Sequence, residues 1–286
     1  MFMNSISASR SNIIDECLWK YYLKYVEKIE GAKSANEEAL NFGSFIHKVF
    51  ELGYTMNDPK TLHKIAESEK KTYKIQFQMN DKITKCIENF VLFNGSLGDT
   101  VATEKMYELP LDDAGGIKFI AIIDRVIKGS DGGYLVIDYK TSKRQKSKKD
   151  LLDDKQLMGY AYVIHKVYGV DIHKIVCAHY YPLTNTFVPV RYSKLQIFQW
   201  RKKEIDKVWR IRKKKNDKAE FPAQKNIFCD YCEYQCEHCP KFSSEESVAK
   251  KIQEAKELKK SKVKLNEVVD QGTSDKDPED TKPNQE

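Results

Sequence analysis

Apolar residues recur along this chain at two spacings, and each spacing predicts a different kind of element. Over residues 10–27, Ile13, Ile14, Cys17, Leu18, Tyr21, Tyr22 and Tyr25 return at helical intervals, and Ser9 or Ser11 is placed to cap the N-terminus. Helical spacing also predicts helices over about 36–55, 60–92, 151–168 and 193–216, with a charged helix at 244–265. Shorter apolar runs predict strands at 101–110, 120–126, from Tyr134 onward, at 174–182 and at 186–191. Lys128-Gly129-Ser130-Asp131-Gly132-Gly133 joins two of them as a hairpin, and no segment repeats. Helices interleaved with strands predict an α/β fold.

One of these strands carries charge where a core strand has none. The run Tyr134-Leu135-Val136 leads into Ile137-Asp138-Tyr139-Lys140-Thr141. Side chains alternate along a strand, so Asp138 and Lys140 share a face and Tyr139 takes the other. The hairpin brings Asp124 alongside. Two carboxylates and a lysine at one spot suit a divalent cation with a charged helper. The plainer alternative is a partly exposed Asp138–Lys140 ion pair on an edge strand.

Composition narrows the class. The 286 residues are 41% hydrophobic and 32% charged, which suits a soluble protein with a substantial core. No apolar run is long enough to cross a membrane and none fits a signal peptide, so the expectation is no membrane association and a cytoplasmic location, the host cytoplasm if phage-encoded. The net charge of +7 is uneven: residues 266–286 hold seven acidic residues against Lys276 and Lys282, leaving the remainder near +12. That favours a polyanionic partner for the body and predicts disorder for the tail. Four of the seven cysteines, Cys229, Cys232, Cys236 and Cys239, fall within eleven residues, a pattern of metal binding in a reducing compartment.

Other residues stand out less. Taken alone, Cys17 and Cys86 read as buried cysteines and His47 as a satisfied core histidine, with Gly43 one turn earlier leaving the backbone open to close approach. Gln156 and Tyr160 share a helix face. The basic loop 143–149 reads as a solvated loop or a phosphate contact, and the basic helix with Trp200 and Trp209 as a nucleic-acid surface or an amphipathic helix.

In order, Ser9-Arg10, Cys17, Lys20-Tyr21-Tyr22, Gly43-Ser44-Phe45-Ile46-His47, Ile123-Asp124-Arg125-Val126, Asp138-Tyr139-Lys140-Thr141 and Gln156-Leu157-Met158-Gly159-Tyr160 resemble the RecB-like branch of the PD-(D/E)XK nucleases. That branch includes RecB and AddB nuclease domains and the CRISPR-associated Cas-four exonucleases. The likeness covers roughly residues 5–240. It implies a restriction-endonuclease-like α/β core, a small mixed sheet flanked by helices, with a helical periphery closed by a cysteine-ligated cluster. It implies one nuclease domain over 1–243, with the cysteine cluster at 226–240, ahead of the charged helix and the acidic tail.

The same resemblance implies that His47, Asp124, Asp138 and the Tyr139 carbonyl hold Mg²⁺ or Mn²⁺, that Asp124, Asp138 and Lys140 are catalytic, and that Gln156 and Tyr160 handle the strand. Glu104 is a supporting candidate. In iron–sulfur members one N-terminal cysteine joins three C-terminal ones around a [4Fe–4S] cluster, here Cys17, Cys229, Cys232 and Cys239, with Cys236 as the alternative third ligand. The usual Cys-x2-Cys-x5-Cys is absent, because Cys236 follows Cys232 after three residues and Cys239 after six. A competing assignment is Zn²⁺ held by Cys229, Cys232, Cys236 and Cys239, though its central spacing is short for a zinc ribbon and leaves Cys17 unused. The implied activity is a metal-dependent DNA exonuclease acting on single strands or DNA ends in recombination, repair or phage DNA metabolism. No Gly-x4-Gly-Lys-Ser/Thr motif is present, so a helicase or recombination partner would be a separate protein. The alternative is a non-catalytic DNA-binding or recombination-accessory protein on the same scaffold.

Overall fold

A computed structural model of the chain describes residues 3–32, 37–235 and 238–242. The expected helix at 244–265, the acidic tail and Cys236 lie outside the described residues. The chain divides into two units, Met1–Glu233 and Tyr234–Glu286. In the second, no helix or strand occurs among the described residues.

The first unit is built on one mixed sheet. Its strands are β1 (Ser5–Ile6), β2 (Asp99–Pro110), β3 (Lys118–Lys128), β4 (Tyr134–Tyr139), β5 (Ile175–Tyr181) and β6 (Thr186–Val190). They run in the order β1-β3-β4-β5-β6, with β2 also paired to β3. β3 and β4 form the expected antiparallel hairpin, closed where Asp131 Oδ1 accepts the Gly133 N–H at 2.9 Å. β4 and β5 are parallel, and the intervening chain carries a crossover helix, as parallel strands require.

The helices are α1 (Ala8–Glu16), α2 (Leu18–Tyr21), α3 (Glu37–Gly53), α4 (Pro59–Glu69), α5 (Asn80–Asn94), α6 (Lys148–Leu151), α7 (Lys155–Tyr168) and α8 (Lys194–Lys213). Two expected helices are interrupted. The first stops at Cys17, whose backbone is extended (φ −162°, ψ 117°), and resumes as α2 and a π-helical turn over Tyr22–Glu27. Apolar spacing continues through the break and conceals it. The predicted helix over 60–92 is two: α4 ends at Glu69, the backbone turns left-handed at Lys74 (φ 52°), and a 3₁₀ turn at Phe77–Met79 leads into α5.

α3, α4 and α5 cover one face of the sheet with Phe45, Val49, Phe50, Leu62, Ile87 and Phe90, packed on Ile127, Ile137, Tyr139 and Tyr180. Phe50 stacks on Phe90 with centroids 4.0 Å apart, and the Tyr139 ring stands edge-on to Phe50 at 5.1 Å. Such ring pairs contribute about 1 kcal/mol beyond the burial itself. Tyr139 thus roots the end of β4 in the core and turns its neighbours, Asp138 and Lys140, to the other face. There α7 lies against β3, β4 and β5, and Phe119 meets Trp200 of α8 at a right angle. Trp200 is therefore a core residue, and the Arg201 and Arg212 of the same basic helix bind the Leu111 and Met3 carbonyls.

α7 packs tightly on β3 at Gly159, where a Cβ would stand 2.3 Å from Phe119 Cζ. Gly159→Ala is expected to lower unfolding free energy by about 1–3 kcal/mol through overpacking, read as a reduced urea midpoint at unchanged m-value. An unchanged midpoint would show that Phe119 gives way freely.

Candidate active site

The site forms where β3 and β4 part. Their pairing extends only as far as Arg125 opposite Ile137. Beyond it the Asp124 side chain takes over: Oδ2 accepts the Tyr139 N–H at 2.7 Å. Lys140 N–H is held by the Tyr180 carbonyl at 2.9 Å, so β4 continues along β5 while β3 bends away. The fork opens onto a cavity of about 580 Å³ lined by Gly43, His47, Glu104, Tyr139, Lys140 and Thr141 among others. A Cβ at Gly43 would meet Thr141 Oγ1 at 3.4 Å, an ordinary contact, so the close approach expected there does not require glycine.

α3 delivers His47 into this fork. Its Nδ1 lies 3.1 Å from Glu104 Oε1 and 3.5 Å from Asp124 Oδ2, and its Nε2 lies 3.0 Å from the Tyr139 carbonyl. Ligand atoms of His47, Glu104 and Asp124 all fall within 4.8 Å of one another, a group able to hold a metal ion. Glu104 therefore enters as a full member of the cluster. Its backbone is left-handed (φ 42°) in mid-strand, a conformation costly for a residue with a Cβ and concentrated at functional sites. Nothing in the alternation of β2 announces that twist.

Asp138 is not in that group of three. It is 1% exposed, with Oδ2 2.5 Å from Lys140 Nζ and Oδ1 3.5 Å from Tyr160 OH. Lys140 Nζ also donates to Gln156 Oε1 at 3.2 Å, Gln156 Nε2 donates to Tyr160 OH at 2.7 Å, and Tyr160 OH donates to the Ile122 carbonyl at 2.6 Å. That carbonyl is reachable because β4 has left β3 by this point. Lys140, Gln156 and Tyr160, each a candidate from sequence, are one hydrogen-bonded chain beside the carboxylates. His179, 1% exposed beside Asp138, escapes the sequence reading; a histidine inside the run Val176-Cys177-Ala178-His179-Tyr180 is the available signal.

Burial and the charge of Asp138 push the Asp124 carboxyl well above the usual carboxylate range, against the pull of His47. Burial works against a charged His47, but the Glu104 hydrogen bond and the charges of Asp124, Glu104 and Asp138 prevail and raise it to about 9. Burial likewise opposes the Lys140 ammonium, and Asp138 more than compensates. With all three acids ionised, three carboxylates face one ammonium and one imidazolium. Exchanging the imidazole proton for a divalent ion would leave the cluster neutral, so its charge suits such an ion. Two of its three groups supply oxygen, the donor for Mg²⁺ or Mn²⁺, and the imidazole leans toward Mn²⁺.

Residues 226–233, which carry Cys229 and Cys232, are tied to the end of α1 and to α2 near Cys17. Asn226 Nδ2 donates to the Glu16 carbonyl at 2.8 Å and its N–H points at Cys229 Sγ at 3.2 Å. Lys20 and Lys24 grip Glu233 at 3.1 and 3.2 Å, and Lys20 lies within electrostatic reach of Cys232. Cys17, Cys229 and Cys232 are all half-buried, whereas Cys86 is wholly buried in the core, its thiol pushed up to about 12 by burial.

The fork thus gathers carboxylates and a lysine where central strands of a helix-flanked mixed sheet part, and three of its side chains could hold a metal ion. The chain belongs to the PD-(D/E)XK nuclease superfamily, whose family model matches residues 5–240. It is similar to an ATP-dependent helicase/deoxyribonuclease subunit of Streptococcus uberis, 25% identical over 154 residues that make up 48% of this chain and 14% of that protein. The corresponding helicase/deoxyribonuclease subunit of Streptococcus mutans is 26% identical over 140 residues, 43% of this chain and 13% of its own length. This chain therefore matches only a small part of either relative. Among solved structures, that of SSO0001 overlaps 84% of this chain and 88% of its own with a TM-score of 0.38 and 14% identity, too loose a likeness to bear on function. No helix among the described residues is long and apolar enough to cross a membrane.

Glu104→Gln keeps the volume and removes one charge from the cluster. It is expected to weaken Mn²⁺ binding about tenfold or more in calorimetry while the fold melts normally. Wild-type affinity in this variant would remove Glu104 from the metal site.

Proposed function

We propose that this protein is a Mg²⁺- or Mn²⁺-dependent deoxyribonuclease of the RecB-like type, an exonuclease acting on single-stranded DNA or DNA ends in recombination, repair or phage DNA metabolism. The observation that carries the proposal is the convergence of His47, Glu104, Asp124, Asp138 and Lys140 on one fork, with Lys140 already tied to Gln156 and Tyr160. An inert scaffold would have no use for three carboxylates in so small a volume, because their mutual repulsion and burial oppose folding.

His47, Glu104 and Asp124 would hold the metal, with Asp138 and the Tyr139 carbonyl completing the set. The divalent ion, when bound, supplies charge neutralisation at the scissile phosphate and a more acidic water. Lys140 stays protonated beside Asp138, where its ammonium orients the attacking water and stabilises negative charge developing on the phosphate oxygens. Gln156 limits where that ammonium swings. Tyr160, its hydroxyl kept protonated by burial and by Asp138 and Asp124, holds α7 against the Ile122 carbonyl. Exposed Lys143, Arg144 and Lys148 beside the cleft supply charge for flanking phosphates.

Cys17, Cys229 and Cys232 with Cys239 would ligate a [4Fe–4S] cluster, and the break at Cys17 supports this: it sets a half-buried thiol at a helix junction where Asn226, bonded to Glu16, brings Cys229 close. The similarity to helicase/deoxyribonuclease subunits makes a separate helicase the natural partner on DNA, and the protein would work in the cytoplasm.

End-labelled single- and double-stranded DNA incubated with Mg²⁺, Mn²⁺ or chelator should show metal-dependent shortening. Lys140→Ala should lower the rate about 10²–10³-fold, the usual cost of one charge-stabilising donor, without loss of DNA binding. Full activity in that variant, or none in the metal-loaded wild type, would defeat the nuclease assignment. Salt-sensitive DNA binding without cleavage would instead mark an accessory protein. Iron and acid-labile sulfide in anaerobically purified protein, both lost in Cys17→Ser, are expected for the cluster; bound zinc retained by that variant would refute it.

A further inference from the structure

Behind the fork, the parallel register of β4 and β5 sets His179 directly beside Asp138. Each is 1% exposed. His179 Nε2 lies 3.5 Å from Asp138 Oδ2 and 3.9 Å from Asp154 Oδ2. Apart from the ion-pair contact of Lys140 with Asp138, both His179 Nε2 and Asp138 Oδ2 are sealed from solvent without a hydrogen-bond partner. Buried polar atoms left in this state are rare, and two facing each other point to a bond that forms on a small adjustment.

The surroundings decide which nitrogen carries the proton. His179 Nδ1 lies 3.3 Å from Tyr181 OH, and that hydroxyl oxygen already accepts the Lys146 N–H at 2.9 Å. The phenol proton is thus directed to Nδ1, which leaves the imidazole N–H at Nε2, facing the carboxylates. Asp154 has other work: its Oδ1 caps α7 through Gln156 and Leu157 N–H at 3.0 and 3.2 Å, and its Oδ2 binds Lys146 Nζ at 2.7 Å. Asp138 Oδ2 is the oxygen with a vacancy for His179.

We propose that His179 is a positioning residue for Asp138: its Nε2–H holds the Asp138 carboxylate in the orientation that serves both the metal cluster and Lys140. This rests on the site assigned above, and it adds a buried anchor supplied by β5, a strand that carries none of the side chains given a role there. Loss of an outer partner that orients a metal-site carboxylate typically costs 10–100-fold in metal affinity or activity.

The test contrasts two amides of different reach, His179→Gln and His179→Asn, in the full-length protein. The Gln Nε2 stands near the imidazole Nε2 and reaches Asp138; the Asn amide stands near Nδ1 and does not. Mn²⁺ affinity by calorimetry is expected to fall tenfold or more in His179→Asn and to return within a few-fold of wild type in His179→Gln. On DNA, kcat should fall in His179→Asn at unchanged KM. Tyr181→Phe retains the histidine but removes the hydroxyl that sets its tautomer, and should show a smaller loss in the same direction. Wild-type Mn²⁺ affinity in folded His179→Asn or Tyr181→Phe overturns the proposal. So does an equal loss in the Asn and Gln variants that follows their melting temperatures, which would make His179 merely structural. If the wild type binds Mn²⁺ and cleaves no DNA, the nuclease assignment falls while the Mn²⁺ series still decides the role of His179.

Discussion

The site depends on a single substitution in the hydrogen-bond ladder: where β3 turns away from β4, the Asp124 carboxylate accepts the Tyr139 N–H in place of a strand carbonyl. A backbone donor at the end of a buried strand must find an acceptor, and one supplied by a side chain allows the strands to separate without an orphaned amide. That separation makes the cleft, frees the Ile122 carbonyl for Tyr160, and sets Lys140 in the cavity wall with Asp138 buried behind it. The same carboxylate that splices the sheet faces His47, so structure and chemistry share one group.

The surrounding packing keeps this fork rigid. Tyr139 is wedged between Phe50 and Tyr180, Lys140 N–H stays bonded to β5, and Arg125 just before the fork is held by Asn94 Oδ1 at 2.6 Å and Thr100 Oγ1 at 2.8 Å. Charges are thus presented by backbone that has little freedom to move. Concentrating acid groups there opposes folding, and the aromatic core beneath offsets that opposition.

The hairpin, the facing of Asp138 and Lys140 and the pairing of Gln156 with Tyr160 were legible in the sequence because each follows from local periodicity. The membership of Glu104 was only half legible. Its position on β2 is regular, but the left-handed backbone there leaves no trace in the alternation of residue types. His179 was silent for a similar reason: its neighbour is set by the β4–β5 register, a pairing across the length of α7 that no short window contains. The helix break at Cys17 escaped because apolar spacing runs through it, and the tertiary hold of Asn226 on Glu16 lies some 200 residues downstream in the chain.

Gly159 bears on more than the stability of α7. With no side chain between them, helix and strand meet backbone against ring at Phe119, and that contact fixes the helix along its own axis as a notch fixes a ruler. Gln156 stands nearly one turn before the notch and Tyr160 one residue after it. An axial slip of about 1.5 Å, the rise of one residue, would carry the amide out of reach of Lys140. The accuracy of the polar chain at the cleft is therefore gauged by an atom the protein lacks, on a surface that no substrate touches.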